Sequence, residues 1–332
     1  MLEHGGRLHL ASQRYGIALG DWIDLSTGIA PWPYPVPEIP LSTWQRLPED
    51  DDGLIDAAQN YYGAANLLPL NGSQAAILAL PRLRAPGAVA VLAPSYGEYA
   101  PAWQAAGHRV IECAAEDLLQ QGGDAADVIM LANPNNPDGR CFSRAVLLAL
   151  ARRLSERHGW LIVDEAFADI DSENSLADIA GMAGAENVII LRSLGKFFGL
   201  AGARVGFCIA ALDALSRLKE VLGPWPLAHP ARFVAKVGLG DTAWQAAQRQ
   251  LLHDASERLA TLLIANGLPP NGSTALFQYV QCKEAAGLYE HFAQHGILVR
   301  YFAEPAALRF GLPENETAWV RLATALENCA KK

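Results

Sequence analysis

The sequence predicts an α/β protein: a mainly parallel sheet with helices between its strands, followed by a smaller α+β domain. Three observations predict it. Six short apolar runs, at 67–70, 89–92, 128–131, 160–163, 188–191 and 205–209, alternate with helical stretches, and crossovers of about a dozen residues or more join parallel strands. Gly223-Pro224-Trp225-Pro226 then breaks the chain. Beyond it come a long helical region near 230–266, alternating runs at 275–281 and 297–301, and a closing helix. The expected domains are an N-terminal arm over 1–40, a large domain over 41–222 and a small one over 223–332.

Taken in order, the first sixty residues read as an irregular arm, because Pro31-Trp32-Pro33-Tyr34-Pro35-Val36-Pro37 suits neither a central strand nor a helix interior. The acidic Glu49-Asp50-Asp51-Asp52 leads into an amphipathic helix ending near Tyr62-Gly63. In open parallel sheets, ligands sit at the carboxyl ends of the strands, and polar residues gather there repeatedly. The run 67–70 delivers Asn71-Gly72-Ser73-Gln74 to a helix start, where free N–H groups can hold a phosphate. After 89–92 comes Pro94-Ser95-Tyr96-Gly97-Glu98-Tyr99, with an aromatic placed to stack on a ring; Tyr99 reads as a half-buried core residue. After 128–131 comes Asn133-Pro134-Asn135-Asn136-Pro137-Asp138-Gly139, a polar turn.

Asp164 stands at the mouth of the run 160–163, where a buried carboxylate is costly unless paired. One strand–helix–strand unit later comes Ser193-Leu194-Gly195-Lys196-Phe197-Phe198-Gly199, with Arg204 eight residues past the lysine. A lysine at a strand end is ordinarily a surface residue. Here glycines crowd it, as where backbone packs close to a ligand, and a hydroxyl and a guanidinium flank it. An amine able to form a Schiff base, with phosphate-gripping groups beside it, is what pyridoxal phosphate requires. Asp164 would then pair with the protonated pyridine nitrogen. Arg309, in Ala307-Leu308-Arg309-Phe310-Gly311, is an arginine among apolar residues, which calls for a bidentate anion.

Composition sets limits. The chain has 332 residues, is 51% hydrophobic and carries a net charge of −9, which fits a globular protein and argues against a nucleic-acid partner. Anionic substrates would need local positive charge. Five dispersed cysteines with no CxxC pair point to reduced thiols, mostly core residues, in the cytoplasm. No apolar run is long enough for a membrane span, no signal peptide is expected at the start, and no metal site is read.

The segments Asp164-Glu165-Ala166-Phe167, Asn133-Pro134-Asn135-Asn136-Pro137 and Ser193-Leu194-Gly195-Lys196 resemble those of the aspartate-aminotransferase superfamily, the fold type I pyridoxal-phosphate enzymes. The resemblance implies that Lys196 carries the cofactor, Asp164 meets its ring nitrogen and Asn136 its phenolic oxygen. It also implies that Tyr96 stacks on the ring, that Ser73, Gln74, Ser193 and Arg204 bind the cofactor phosphate, and that Arg309 takes the substrate carboxylate. His4-Gly5-Gly6, Asp24-Leu25-Ser26, Phe167, Lys196-Phe197-Phe198, Pro224-Trp225 and Asp241-Thr242-Ala243-Trp244-Gln245 look like the threonine-phosphate decarboxylases of cobalamin biosynthesis. That likeness implies decarboxylation of L-threonine O-3-phosphate by a homodimer, with His4 near the substrate; Arg7, beside it, is the candidate to supply charge for the substrate phosphate. Leu47, Gly195 and Phe167 depart from the pattern, each lacking a hydroxyl, and no second arginine follows Arg309 for the substrate phosphate. Two alternatives stay open: an aminotransferase resembling histidinol-phosphate aminotransferase, and a protein that binds the cofactor without turnover.

Overall fold

The computed structural model describes residues 5–122 and 126–329. His4 lies outside the described residues. Close contacts divide the chain into two compact units, one of residues 34–136 with 141–245, the other of 1–33, 137–140 and 246–332.

The larger unit holds a seven-stranded sheet of β1 (Leu67–Asn71), β2 (Ala88–Leu92), β3 (Arg109–Cys113), β4 (Val128–Ala132), β5 (Trp160–Asp164), β6 (Val188–Ser193) and β7 (Val205–Ile209). Their order across the sheet is β1-β7-β6-β5-β4-β2-β3. β7 is antiparallel to both neighbours and the remaining pairs are parallel. All six expected runs are strands. β3 is the strand that the sequence hides: it lies at the sheet edge, its Arg109 and Glu112 face solvent, and it shows no continuous apolar run. The central strands β4, β5 and β7 are buried nearly throughout, which is why they read as uninterrupted apolar segments.

The division at 245/246 lies well past the break at 223–226. Gly223 does end the helix Leu212–Leu222, but the next helix, His229–Gly240, belongs to the larger unit. Arg232 explains the attachment. It is buried and donates to both Asp52 carboxylate oxygens, at 2.6 and 2.9 Å, and to the Glu49 carbonyl at 3.1 Å. Lys236 donates to the Asp52 carbonyl at 3.0 Å. The acidic run is thus a docking surface for the helix that follows the break. Asp241, outside helical geometry, separates that helix from Thr242–Ala265.

The smaller unit has an antiparallel sheet of β8 (Gly272–Thr274), β9 (Phe277–Gln281), β10 (Arg300–Ala303) and β11 (Ala306–Gly311), in the order β10-β11-β9-β8. Ile23–Asp24 pairs in parallel with Ile297–Leu298. Residues 137–140 join this unit because Gly139 packs against the Ser273 backbone and Gly272 against the Asp138 backbone, leaving no room for a Cβ at either. The expected irregular arm contains a helix, Leu8–Tyr15. Its Leu8, Ala11 and Tyr15 pack with Trp22, Tyr289, Ala293 and Leu298, and Gly16 closes it at φ 68°. Apolar residues at 8, 11 and 15 followed by glycine were the available signal. Of the five free cysteines, Cys208 alone is fully buried, so the expectation of mostly core thiols does not hold. Among the described residues, no helix is long and apolar enough to cross a membrane.

Candidate functional site

The strand ends of the larger unit meet in a cavity of about 150 Å³, lined among others by Ser73, Gln74, Tyr96, Asn136, Asp164, Ser193, Lys196 and Arg204. These are the eight cofactor-binding residues expected from sequence, supplied by the ends of five different strands and the segments that follow them. The parallel sheet brings them together because β4 and β5 end level and β6 runs on to Ser193 beside them: Ala132 stands beside Asp164, and Asp164 beside Leu191.

Asp164 lines this cavity, buried at 5% exposure. Its Oδ2 accepts a hydrogen bond from the Tyr99 hydroxyl at 2.8 Å and its Oδ1 from the Ala166 amide at 3.0 Å. Burial pushes the carboxyl above its usual value, against these two hydrogen bonds and the Lys196 charge, which pull it down. Lys196 holds its ammonium 5.1 Å from the centre of the Phe167 ring. Phe167, which lacks the expected phenol, thus offers an aromatic face to the amine. Tyr96 donates to Gln74 Oε1 at 3.1 Å, and burial pushes its phenol up to about 12.

Ser73, Gln74, Ser193 and Arg204 bring hydroxyls, an amide and a guanidinium to the same cavity. Gly206 on β7 lies against Gly72 and Ser73 so closely that a Cβ there would be 2.5 Å from the Ser73 nitrogen. Gly72 has φ 71°, and a Cβ on it would meet Arg204 Nη2 at 2.6 Å. Both glycines therefore let the start of Ser73–Ala79 and Arg204 close on one point, a cradle of donors suited to an anion. Ser193 Oγ accepts from the Gly195 amide at 3.2 Å. A Cβ on Gly195 would stand 3.3 Å from Ala201 Cα, so the missing hydroxyl at this position accompanies tight packing. With a buried carboxylate, an amine and a cradle of anion donors lining one cavity, the residues fit pyridoxal phosphate.

Sequence reading missed what lies behind Asp164. Glu165 is fully buried and accepts from Arg192 Nη1 at 2.7 Å, from Ser175 Oγ at 2.6 Å and from the Leu176 amide at 3.0 Å. Arg192 also donates to Asp169 at 3.0 Å and lies 4.6 Å from the centre of the Tyr62 ring. Glu165 occurs in a quoted motif and Arg192 directly precedes another, and strand alternation was the signal that they point away from Asp164 and Ser193.

Arg309 lies on β11 in the smaller unit, buried, with Nη2 donating to the Ser26 carbonyl at 2.8 Å and its guanidinium 4.9 Å from the Phe277 ring centre. Burial and the nearby Arg300 charge push it down to about 9, and Asp24 partly opposes this. Arg300 stands directly across from Arg309 on β10, so both side chains rise from one face of the sheet. A second arginine thus stands beside Arg309, and it precedes Arg309 in sequence instead of following it. Arg300 also lines a cavity of about 350 Å³ with Arg7, Arg14, Ser26, Tyr301 and Glu290, three arginines against one carboxylate. Arg14 and Tyr15 both bond Glu290, at 2.6 and 2.7 Å. The two N-terminal glycines have steric reasons: a Cβ on Gly5 would lie 2.5 Å from the Ser26 carbonyl oxygen, and Gly6, at φ 79°, donates to Ser26 Oγ at 2.8 Å.

Comparison with known proteins agrees with this geometry. The family model for aminotransferase class I and II matches residues 48–328. The chain is 53% identical to a threonine-phosphate decarboxylase of Pseudomonas aeruginosa, across 98% of this chain and 97% of that one. It is 41% identical to a threonine-phosphate decarboxylase of a Sinorhizobium species, over the same shares. Among solved structures, a histidinol-phosphate aminotransferase from Sinorhizobium meliloti in complex with pyridoxal-5′-phosphate superposes with a TM-score of 0.84 at 20% identity, covering 98% of this chain and 95% of that one.

Proposed function

Because the chain belongs to the aminotransferase class I and II family, we propose that it is a pyridoxal-phosphate-dependent threonine-phosphate decarboxylase. It converts L-threonine O-3-phosphate to (R)-1-amino-2-propanol O-2-phosphate and carbon dioxide, a step towards the aminopropanol arm of cobalamin. The observation that carries this reading is 53% identity to a decarboxylase over nearly the full length of both chains. The aminotransferase likeness quoted above, at 20% identity, speaks for the fold alone.

Pyridoxal phosphate, when bound, supplies an aldehyde for amines and a ring that accepts the electron pair of a bond broken at Cα. The chain's residues do the rest. Lys196 provides the amine that holds the cofactor and then moves a proton at Cα. Asp164 keeps the ring nitrogen protonated, Asn136 takes the phenolic oxygen and Tyr96 covers one face. Ser73, Gln74, Ser193 and Arg204 hold the cofactor phosphate. Arg309 takes the substrate carboxylate, and which bond breaks depends on orientation: only a bond perpendicular to the ring can deliver its electrons into the π system. Arg300 and Arg7, lining the positive cavity of the smaller unit, supply charge for the substrate phosphate that the net −9 of the chain does not.

The assembly is a homodimer in this reading. Leu41, Trp44 and Leu47 are exposed at 69%, 63% and 61% on and just after the short helix Leu41–Gln45, an apolar grouping that a partner would cover. Sedimentation showing a fully active monomer at micromolar concentration overturns it. Free thiols support a cytoplasmic location in this reading. The functional test is carbon dioxide release from L-threonine O-3-phosphate with no keto acid present. Faster turnover of glutamate with a phosphorylated ketone would give the aminotransferase reading its place.

A further inference from the structure

Tyr99 reads from sequence as a core tyrosine, and its ring is indeed buried, at 1% exposure, at the start of the helix Tyr99–Ala105. Its hydroxyl is placed otherwise. It donates to Asp164 Oδ2 at 2.8 Å across 65 residues of sequence, and its ring meets that of Tyr96 edge to face, with centroids 5.3 Å apart. We infer that Tyr99 is a positioning residue for the cofactor, holding the Asp164 carboxylate in the orientation in which it meets the pyridine nitrogen. The inference rests on the pyridoxal-phosphate reading of this cavity.

The geometry leaves Asp164 little freedom. One oxygen takes the Tyr99 hydroxyl and the other the Ala166 amide, so each retains acceptor capacity for one more donor. A carboxylate fixed at both oxygens cannot rotate away from a ring N–H, and each hydrogen bond favours the ionised form that burial opposes. The other groups facing it do not replace Tyr99. Lys196 approaches as a charge from the end of β6, the Tyr96 hydroxyl is directed to Gln74, and Glu165, next in the chain, is turned to Arg192, Ser175 and Leu176. Removing the Tyr99 hydroxyl would leave Oδ2 with no donor from the helix Tyr99–Ala105, while a phenylalanine would keep the packing against Tyr96.

The test compares two cofactors on the full-length protein stripped of its own. One is pyridoxal phosphate; the other is its analogue with C–H in place of the ring nitrogen. Binding is followed by absorbance for the wild type, Tyr99→Phe, Asp164→Asn and the double variant, with circular dichroism confirming the fold. Tyr99→Phe should weaken pyridoxal phosphate by roughly ten-fold or more, the loss of one hydrogen bond to a charged group. It should scarcely change binding of the analogue, and it should add almost nothing in the Asp164→Asn background. Equal weakening of both cofactors, additive losses in the double variant, or no loss at all would overturn the inference. Should Tyr99→Phe fail to fold, Tyr99→His, which can return a donor, carries the same comparison: preserved preference for pyridoxal phosphate over the analogue supports the inference, and a lost preference overturns it. Failure of the wild type itself to bind pyridoxal phosphate on Lys196 would instead remove the reading on which this one stands.

Discussion

The cavity of the larger unit and the arginine-lined cavity of the smaller one are built by opposite strategies. In the first, Ser73, Tyr96, Asn136, Asp164 and Lys196 each follow their own strand, and the parallel sheet aligns them. In the second, Arg7, Ser26 and Arg300 come from an N-terminal helix start, a loop and an antiparallel strand. Polar residues at consecutive strand ends keep a recognisable sequence order. Residues gathered by antiparallel register and a folded-back N-terminus do not. The lining of the first cavity could therefore be anticipated residue by residue, whereas of the second cavity the sequence offered Arg7 alone as a ligand.

The contrast can be broken most severely at Lys196. Lys196→Ala should abolish turnover and leave borohydride nothing to fix, while the wild type should yield a pyridoxyl peptide containing Lys196; a label on another lysine contradicts the assignment. Next come the arginines, whose losses should be graded by burial. Arg309→Ala should cost about 2–5 kcal/mol in kcat/KM, as for one partner of a desolvated charge pair. Arg300→Ala should raise KM for L-threonine O-3-phosphate by about 1.5–3 kcal/mol and for plain threonine far less. Arg7→Ala, at an exposed position, should show the same selectivity at roughly 1 kcal/mol or below. Equal effects on both substrates would remove Arg300 and Arg7 from the phosphate.

The smallest expected effect concerns stability. The folded-state value of Asp164 lies above its ordinary 3.8, so the folded chain holds that proton more tightly than the unfolded one. Stability conferred by it is present at low pH and is lost as pH rises through the window above 3.8. In protein stripped of cofactor, Asp164→Asn should therefore lose less Tm than the wild type between about pH 4 and about pH 7. An identical decline would mean that the carboxylate is not held above its usual range.

What was legible follows the same physics. Buried central strands are apolar throughout and announce themselves; β3, half-exposed at an edge, does not. The break at 223–226 looked like a domain boundary because proline and glycine end helices. Whether a unit ends there depends on what docks afterwards, and Arg232 on Asp52, 180 residues apart, is invisible to local pattern. Likewise Tyr99 and Arg192 carry no motif of their own beyond position. Their partners, Asp164 and Glu165, are adjacent in sequence and face opposite ways.

The claim that these parts serve decarboxylation rests on which bond at Cα breaks, and one isotope reports it. L-threonine O-3-phosphate carrying deuterium at Cα, given to the enzyme without a keto acid, should yield aminopropanol phosphate that retains the deuterium, because the carboxylate leaves and the Cα–hydrogen bond survives. Deuterium appearing in solvent, with a phosphorylated keto acid as product and no carbon dioxide, would contradict the account and make the chain an aminotransferase.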